Sequence, residues 1–196
     1  MPKKTEPAII LASNSPRRRE LLHQVGLSFI IDPTEVDEQI RPGESPESYV
    51  VRVALDKARA AASRAASGII IAADTIVVLG DAILGKPADS RDAERMLTLL
   101  SGRVHDVISG LALINAAEEK TATGTSLTRV RFRDLSRNEI VSYIKSGEPL
   151  DKAGAYGIQG KGALLVKKIE GCYFNVVGLP LSLLGEMLRN FGISLF

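Results

Sequence analysis

Asp74 stands inside one of the most apolar stretches of the sequence, between residues 69–73 and 76–78. A carboxylate in such surroundings is costly unless it is paired with a cation or bound to a metal. Asp74, with Thr75 beside it, therefore favours a functional acid over an aspartate that caps a turn at a strand end. Glu38 lies in an acidic loop with Glu35 and Asp37; it offers a second acidic group, with a solvated loop as the alternative.

A candidate anion site follows the first apolar run of the chain. Ser13, Ser15, Arg17 and Arg18 surround Pro16, which is suited to the first turn of a helix. Free backbone N–H groups at a helix N-terminus attract anions, and hydroxyl and guanidinium groups strengthen such a site. The glycines of a Walker A loop or a dinucleotide fingerprint are missing. An ordinary capped helix with solvated arginines is the alternative.

Lys57 interrupts the predicted apolar face of a helix. Val50, Val53, Ala54 and Ala61 fall on the same helical stripe as this lysine. Lys57 either extends along its stem to reach solvent or points into a cleft toward a phosphate. The stripe does not distinguish these two interpretations.

Two further segments carry polar groups in turns. Lys86 is held between Gly85 and Pro87, where a surface lysine is the alternative to a phosphate ligand. The glycine-rich residues 151–160 include Tyr156, which could stack on a base, and Gln159, which offers both a donor and an acceptor. A mobile surface loop is the alternative. Taken together, the cations, carboxylates and polar loop fit a nucleoside triphosphate better than a nucleic-acid groove.

The composition of the chain excludes several classes of partner and metal site. The chain has 196 residues, and 25 Lys and Arg against 23 Asp and Glu give a net charge of +2, which argues against a protein that coats nucleic acid. One cysteine, Cys172, excludes an intramolecular disulfide and a cysteine zinc site and suits a reducing cytosol. With only His23 and His105, metal chemistry must rely on carboxylates, which favours Mg²⁺ or Mn²⁺. No apolar run is long enough for a membrane span, and the first residues lack the apolar region of a secretory signal.

The elements that must position these residues alternate between strand and helix. We expect strands at residues 8–12, 29–31, 123–132, 163–169 and 173–177, and two more within 104–116 that are broken near Gly110. Residues 69–73 and 76–79 are apolar runs with Asp74 and Thr75 between them. Helices should begin at Ser15–Pro16, Ser45–Pro46, Asp89 or Ser90, Ser136 and about Leu181. The pattern predicts an α/β fold with a mixed sheet.

Several separate motifs, in the right order, resemble the Maf family of nucleoside triphosphate pyrophosphatases. They are ASNSPRRRELL at 12–22, AADT at 72–75, GKP at 85–87, LSGRVH at 100–105 and EPLDKAGAYGIQG at 148–160. The resemblance extends from about Ile9 to Phe191. The AYGIQG sequence at 155–160 is similar to the branch of the family that acts on dTTP and UTP.

This resemblance implies a single α/β domain over residues 1–196, with two lobes around a cleft, similar to inosine triphosphate pyrophosphatases. It implies a cytoplasmic homodimer that hydrolyses dTTP and UTP to a monophosphate and pyrophosphate with a divalent metal. Asp74 matches the proposed general base and could instead hold the metal together with Glu38. The implied substrate ligands are Ser13, Ser15, Arg17, Arg18, Lys57, Thr75, Lys86 and Gln159.

Two other functions stay open at this point. The family is named for an effect on septum formation, so the chain could be a regulatory protein that binds nucleotides or nucleic acid. Such a protein has no need of Asp74 and Glu38 beside its cations. The chain could also remove modified pyrimidine triphosphates, which the sequence does not separate from UTP and dTTP.

Overall fold

A computed structural model describes residues 7–118 and 120–195 of the chain. The initial residues, for which the sequence predicts no secretory signal, lie largely outside this part. Within it, the chain forms one mixed sheet with helices, as expected for an α/β protein. No helix in the described ranges has the length and apolarity that crossing a bilayer requires.

The strands and helices alternate through most of the chain. The strands are β1 (Ile9–Leu11), β2 (Ile30–Ile31), β3 (Ile69–Leu79), β4 (Ala82–Leu84), β5 (Val104–Asn115), β6 (Lys120–Phe132) and β7 (Val166–Glu170). The helices are α1 (Pro16–Gln24), α2 (Pro46–Ala62), α3 (Ser90–Leu100), α4 (Arg137–Ile144), α5 (Tyr173–Val177) and α6 (Leu181–Asn190).

The sheet has the strand order β2-β1-β3-β5-β6-β7, and β4 also pairs with β3. β1 is parallel to both β2 and β3, whereas β3–β4 and β6–β7 are antiparallel. The prediction of a mixed sheet is therefore confirmed. The first strands are parallel because helices connect them, and β4 follows β3 through a short turn.

Two compact units make up the chain. The first contains residues 1–74, 109–125 and 178–196, and the second contains residues 75–108 and 126–177. That the whole chain is one domain stays a prediction. The core of the first unit is made by small and branched side chains of β1, α2, β3 and β5, among them Ala54, Ala58 and Ala61. The core of the second is built around α3, α4 and aromatic residues such as Phe132.

The strands are continuous at two places where the sequence pattern is interrupted. β3 is one continuous strand that includes Asp74, and β5 is not broken at Gly110. A Cβ atom at Gly110 would lie 2.2 Å from the Val50 carbonyl oxygen. The glycine is therefore needed for the close approach of α2 to β5, and not for a break in the strand.

The predicted strand at residues 173–177 is also wrong. Residues 173–177 form the short helix α5, and β7 pairs with β6 instead. The buried side chain of Asn175 donates to the Val107 carbonyl oxygen at 2.9 Å and to Thr128 Oγ1 at 3.0 Å. These polar contacts hold residues 173–177 in α5, whereas the aromatic and β-branched residues of this segment favour a strand when they are considered alone.

Capping side chains define the starts of α2, α3 and α4, as expected, but not that of α1. Ser45, Asp89 and Ser136 each accept a hydrogen bond from a backbone N–H of the first turn, and Ser136 forms a full capping box with Glu139. Ser15 occupies the corresponding position before α1, but its side chain makes no capping hydrogen bond. At that point Ser13, a residue of the candidate site, accepts a hydrogen bond from the Ser15 backbone N–H instead.

Candidate functional site

Lys57 lies between two carboxylates of the first unit. Its Nζ atom is 2.8 Å from Asp74 Oδ1 and 2.7 Å from Glu38 Oε1. The side chains of Lys57 and Asp74 are 11% and 12% exposed, and that of Glu38 is 53% exposed. The lysine does not extend to solvent from the apolar stripe, because its charge is used to compensate Asp74. We call these three residues the acid–lysine cluster.

The helix and strand that carry the cluster explain its formation. α2 places Lys57 on the same buried face as Val50, Val53 and Ala61. Asp74 lies in β3, whose other residues are mostly buried. An ammonium group and a carboxylate on two packed elements can satisfy each other, whereas either one alone in this core would be strongly unfavourable.

Tyr49 also supports the cluster, although sequence reasoning missed it. Its hydroxyl donates to the Glu38 carbonyl oxygen at 2.9 Å and so holds the loop that carries Glu38. Burial, with the nearby charges of Asp74 and Glu38, raises the pKa of Tyr49 to about 12. The spacing of Tyr49, Val53 and Lys57, four residues apart each time, is the signal that could have found it.

Ser13 organises the junction between β1 and α1. Its Oγ accepts from the Ser15 backbone N–H at 3.2 Å and from Arg18 Nη1 at 3.1 Å. Arg18 Nε donates to the Gly178 carbonyl oxygen at 2.9 Å. Burial lowers the pKa of Arg18, and the neighbouring Asp74 charge opposes this shift. The structure thus brings Ser13, Ser15 and Arg18 together, and Arg17 precedes Arg18 in the first turn of α1.

The other predicted ligands belong to the second unit. Lys86 is exposed, and Thr75 and Gln159 are half-buried. The Gly154 N–H donates to the Gly85 carbonyl oxygen at 3.0 Å, which connects the Lys86 turn to the segment that carries Gln159. Thr75 follows Asp74 within β3, so their side chains leave the strand on opposite faces.

Tyr156 is not free to stack on a nucleotide base. It is only 5% exposed, and its hydroxyl lies 2.8 Å from His105 Nε2. The glycine-rich segment around it contains three short 3-10 helices, Glu148–Asp151, Ala153–Ala155 and Gly160–Leu165. The stacking interpretation of Tyr156 is therefore wrong. Burial lowers the pKa of His105 to about 4, so this histidine is neutral at pH 7 and does not provide a cation.

The acid–lysine cluster has the donor chemistry that a hard divalent cation requires. Glu38 and Asp74 each place a carboxylate oxygen within 2.8 Å of one point, the Lys57 nitrogen. No group of three or more His, Cys, Asp or Glu in the described residues is placed to hold a metal. Mg²⁺ is commonly bound by one or two carboxylates, with substrate phosphates as further ligands. Two carboxylates therefore fit such an ion when it arrives with a phosphorylated substrate.

Comparison with known proteins identifies the family. The model of the Maf-like protein family matches residues 8–191. The chain belongs to the Maf-like protein family. This Maf-like chain is 51% identical over 189 residues to the dTTP/UTP pyrophosphatase of Clostridioides difficile, with 96% of this chain and 97% of the relative covered. It is 52% identical over 188 residues to the dTTP/UTP pyrophosphatase of Symbiobacterium thermophilum, with 96% of each covered.

Solved structures show a similar fold. The Ham1 protein of Staphylococcus aureus matches with a TM-score of 0.55 and 16% identity, and that of Coxiella burnetii with 0.54 and 16%. Each comparison covers 94% of this chain and 99% of the other. These matches support the α/β fold expected from the sequence.

A double-mutant cycle on Lys57→Met and Asp74→Asn should show strong coupling. Each single substitution leaves a poorly solvated partner, so the free energies of unfolding should be non-additive by about 2 kcal/mol. The matched control is the pair of Arg64 and Asp32, which are 2.8 Å apart but 48% and 35% exposed. Its cycle, with Arg64→Met and Asp32→Asn, should give below about 1 kcal/mol. Urea unfolding measures both cycles, and equal coupling energies would contradict the account of the cluster.

Proposed function

We propose that this chain hydrolyses dTTP and UTP to the nucleoside monophosphate and pyrophosphate. The observation that carries the proposal is the acid–lysine cluster, in which two carboxylates and one cation meet in the first unit. Relatives named dTTP/UTP pyrophosphatase, about half identical over nearly the whole of both chains, support the choice of substrate. A protein that only binds nucleotides has no need for a buried aspartate held against a lysine, so the regulatory alternative is weaker.

Glu38 and Asp74 would hold a divalent cation, Mg²⁺ or Mn²⁺. Such an ion would supply Lewis-acid chemistry, offsetting the negative charge that develops on the phosphate oxygens. Both carboxylates are paired with Lys57, so Glu38 and Asp74 would hold a cation only after the ammonium group had left their oxygens. The lysine would then be released toward the phosphates, whose charge it also suits.

As the alternative to its role as a metal ligand, Asp74 would act as the general base. It would accept a proton from a water molecule as the water oxygen bonds to the α-phosphorus. The bond from the α-phosphorus to the bridging oxygen then breaks, and pyrophosphate leaves with the bonding electrons. The fixed position of Asp74 in β3, with Oδ1 2.8 Å from Lys57 Nζ, supports this role, because a general base must be held within reach of the water that it activates.

The other proposed substrate-binding residues contact either the triphosphate or the base. Arg17, Arg18, Lys57 and Lys86 would hold the triphosphate and stabilise the leaving pyrophosphate, with Ser13 and Ser15 donating further hydrogen bonds. Thr75 and Gln159 would recognise the base. As the sequence also predicts, we propose a cytoplasmic homodimer without nucleic acid as a partner. Modified pyrimidine triphosphates stay within the proposed substrate class.

Pyrophosphate release from a panel of triphosphates tests the function. The panel contains UTP, dTTP, CTP, ATP, GTP and pyrimidine triphosphates modified at the base. We expect release from UTP and dTTP that requires Mg²⁺ or Mn²⁺ and stops with EDTA. In ¹⁸O-labelled water, the label should enter the monophosphate, since attack is at the α-phosphorus. Salt-sensitive duplex binding without hydrolysis would instead favour the regulatory alternative.

Asp74→Asn should retain nucleotide binding and lose most turnover. The amide keeps the shape of the side chain but does not accept the proton, so kcat should fall about a hundredfold or more. Steady-state kinetics and calorimetric binding of UTP measure the two quantities. Asp32→Asn, an acid of the same unit outside the cluster, is the control and should have normal turnover. Near-normal turnover in Asp74→Asn would remove Asp74 from the chemistry.

A further inference from the structure

Three buried aromatic rings pack against one another, and one of them, Tyr156, precedes Gln159 by three residues. Tyr156 packs edge-on against Phe132, with ring centroids 4.6 Å apart. The His105 ring centroid lies 5.0 Å from that of Phe132 and 5.3 Å from that of Tyr156. His105 and Tyr156 are 2% and 5% exposed, and Phe132 is 1% exposed. The 2.8 Å hydrogen bond between His105 and Tyr156 is therefore made in a dry core, where a hydrogen bond is strong and strictly oriented.

The backbone on both sides of Gln159 is anchored as well. The Gly157 N–H donates to the Tyr143 hydroxyl at 3.2 Å. After Gln159, the N–H groups of Lys161 and Gly162 donate to the Glu148 carboxylate at 3.2 and 3.4 Å. Gln159 thus lies in a short bridge between two fixed points, although its own side chain is half-buried.

The residue before Tyr156 is strained. Ala155 has φ of +58°, the one positive φ of a non-glycine residue in the described chain, and it is fully buried. An alanine adopts this conformation only where its surroundings impose it, and such residues concentrate at functional sites. At Gly154, an added Cβ would lie 2.9 Å from a methyl group of Val77, so this glycine packs directly against that side chain. The strained residue therefore lies between a closely packed glycine and the buried Tyr156.

We propose that Tyr156, held by His105, is a positioning residue that fixes Gln159 and thereby sets the preference for uracil and thymine over cytosine. This inference rests on the proposed function. Uracil and thymine present an N–H donor beside a carbonyl acceptor, whereas cytosine presents an acceptor beside an amino donor. A glutamine amide carries one donor group and one acceptor, so it can match either pattern by turning over. It discriminates between them only if its orientation is fixed by its support.

The roles of the two tyrosines differ from that of a substrate ligand. Neither hydroxyl has to contact the nucleotide, because each has a hydrogen-bond partner within the protein. The Tyr156 hydroxyl is hydrogen-bonded to His105, and the Tyr143 hydroxyl accepts from the Gly157 N–H. Loss of either hydroxyl should therefore change base selection and binding, and should leave the bond-breaking step largely unaffected. A purely structural role would lower stability without altering the choice between substrates.

Tyr156→Phe in the full-length chain tests the proposal. The ring and its packing remain, and only the hydrogen bond to His105 is lost. We expect KM for UTP to rise and the ratio of kcat/KM for UTP over CTP to fall about tenfold, with kcat for UTP within about threefold of wild type. Amide hydrogen exchange should become faster in residues 157–162. Tyr143→Phe is the second variant and should shift the ratio in the same direction.

Val130→Ala is the matched control. Val130 is fully buried in the same core, and its truncation lowers stability without removing a hydrogen bond from the segment. The ratio of kcat/KM for UTP over CTP in Val130→Ala should equal that of wild type, even when its melting temperature falls as much as that of the tyrosine variants. If both tyrosine variants behave like Val130→Ala, the positioning role is overturned and the proposed function stands. If wild type releases no pyrophosphate from UTP or dTTP, both proposals fail.

Discussion

A carboxylate inside an apolar strand must be compensated, and the first unit is arranged around the way in which Asp74 meets this requirement. Lys57 provides the compensating charge from the buried face of α2, at 2.8 Å. This contact requires α2 to pack closely on the sheet. Gly110 permits that approach, because the Cβ atom of any other residue at this position of β5 would overlap the Val50 carbonyl oxygen. The alanines of α2 and β3 fill the remaining core without keeping the two elements apart.

The same contact explains why this arrangement suits phosphate chemistry. Lys57 joins the buried Asp74 to Glu38, which is about half exposed, so the cluster extends from the core to the surface. Without substrate, one ammonium group is shared by two carboxylates. In the proposed reaction, Glu38 and Asp74 would instead hold a divalent cation, and the phosphates would provide a new partner for Lys57. The charges remain compensated in both states, which a buried site requires.

Sequence reasoning predicted the elements whose patterns are local. Capping residues placed the starts of α2, α3 and α4, and the apolar stripe placed Lys57 on a buried face. Its partners were not predicted from the stripe alone, because the loop that carries Glu38 is fixed by Tyr49 through a contact between distant residues. The motifs identified the family, but the spacing of Glu38, Lys57 and Asp74 in the sequence does not show that Lys57 pairs with both carboxylates.

The errors have a common origin in tertiary contacts. Gly110 is typical of a strand break until the helix that packs against it is known. Residues 173–177 have a strand-like pattern, and hydrogen bonds from Asn175 hold them as a helix instead. Tyr156 has the residue type of a stacking platform, yet its hydroxyl is bound to His105, which is far away in sequence. In each case the local pattern was correctly described, and a partner elsewhere in the chain determined the outcome.

The central claim is that Glu38 and Asp74 hold the metal while Lys57 moves to the phosphates. A crystal structure with Mn²⁺ and a UTP analogue that has nitrogen between the α- and β-phosphorus tests it most directly. We predict an anomalous peak for manganese at about 2.0–2.3 Å from oxygens of both carboxylates, with Lys57 Nζ hydrogen-bonded to a phosphate oxygen. Manganese bound away from both carboxylates, with Lys57 still between them, would contradict the account.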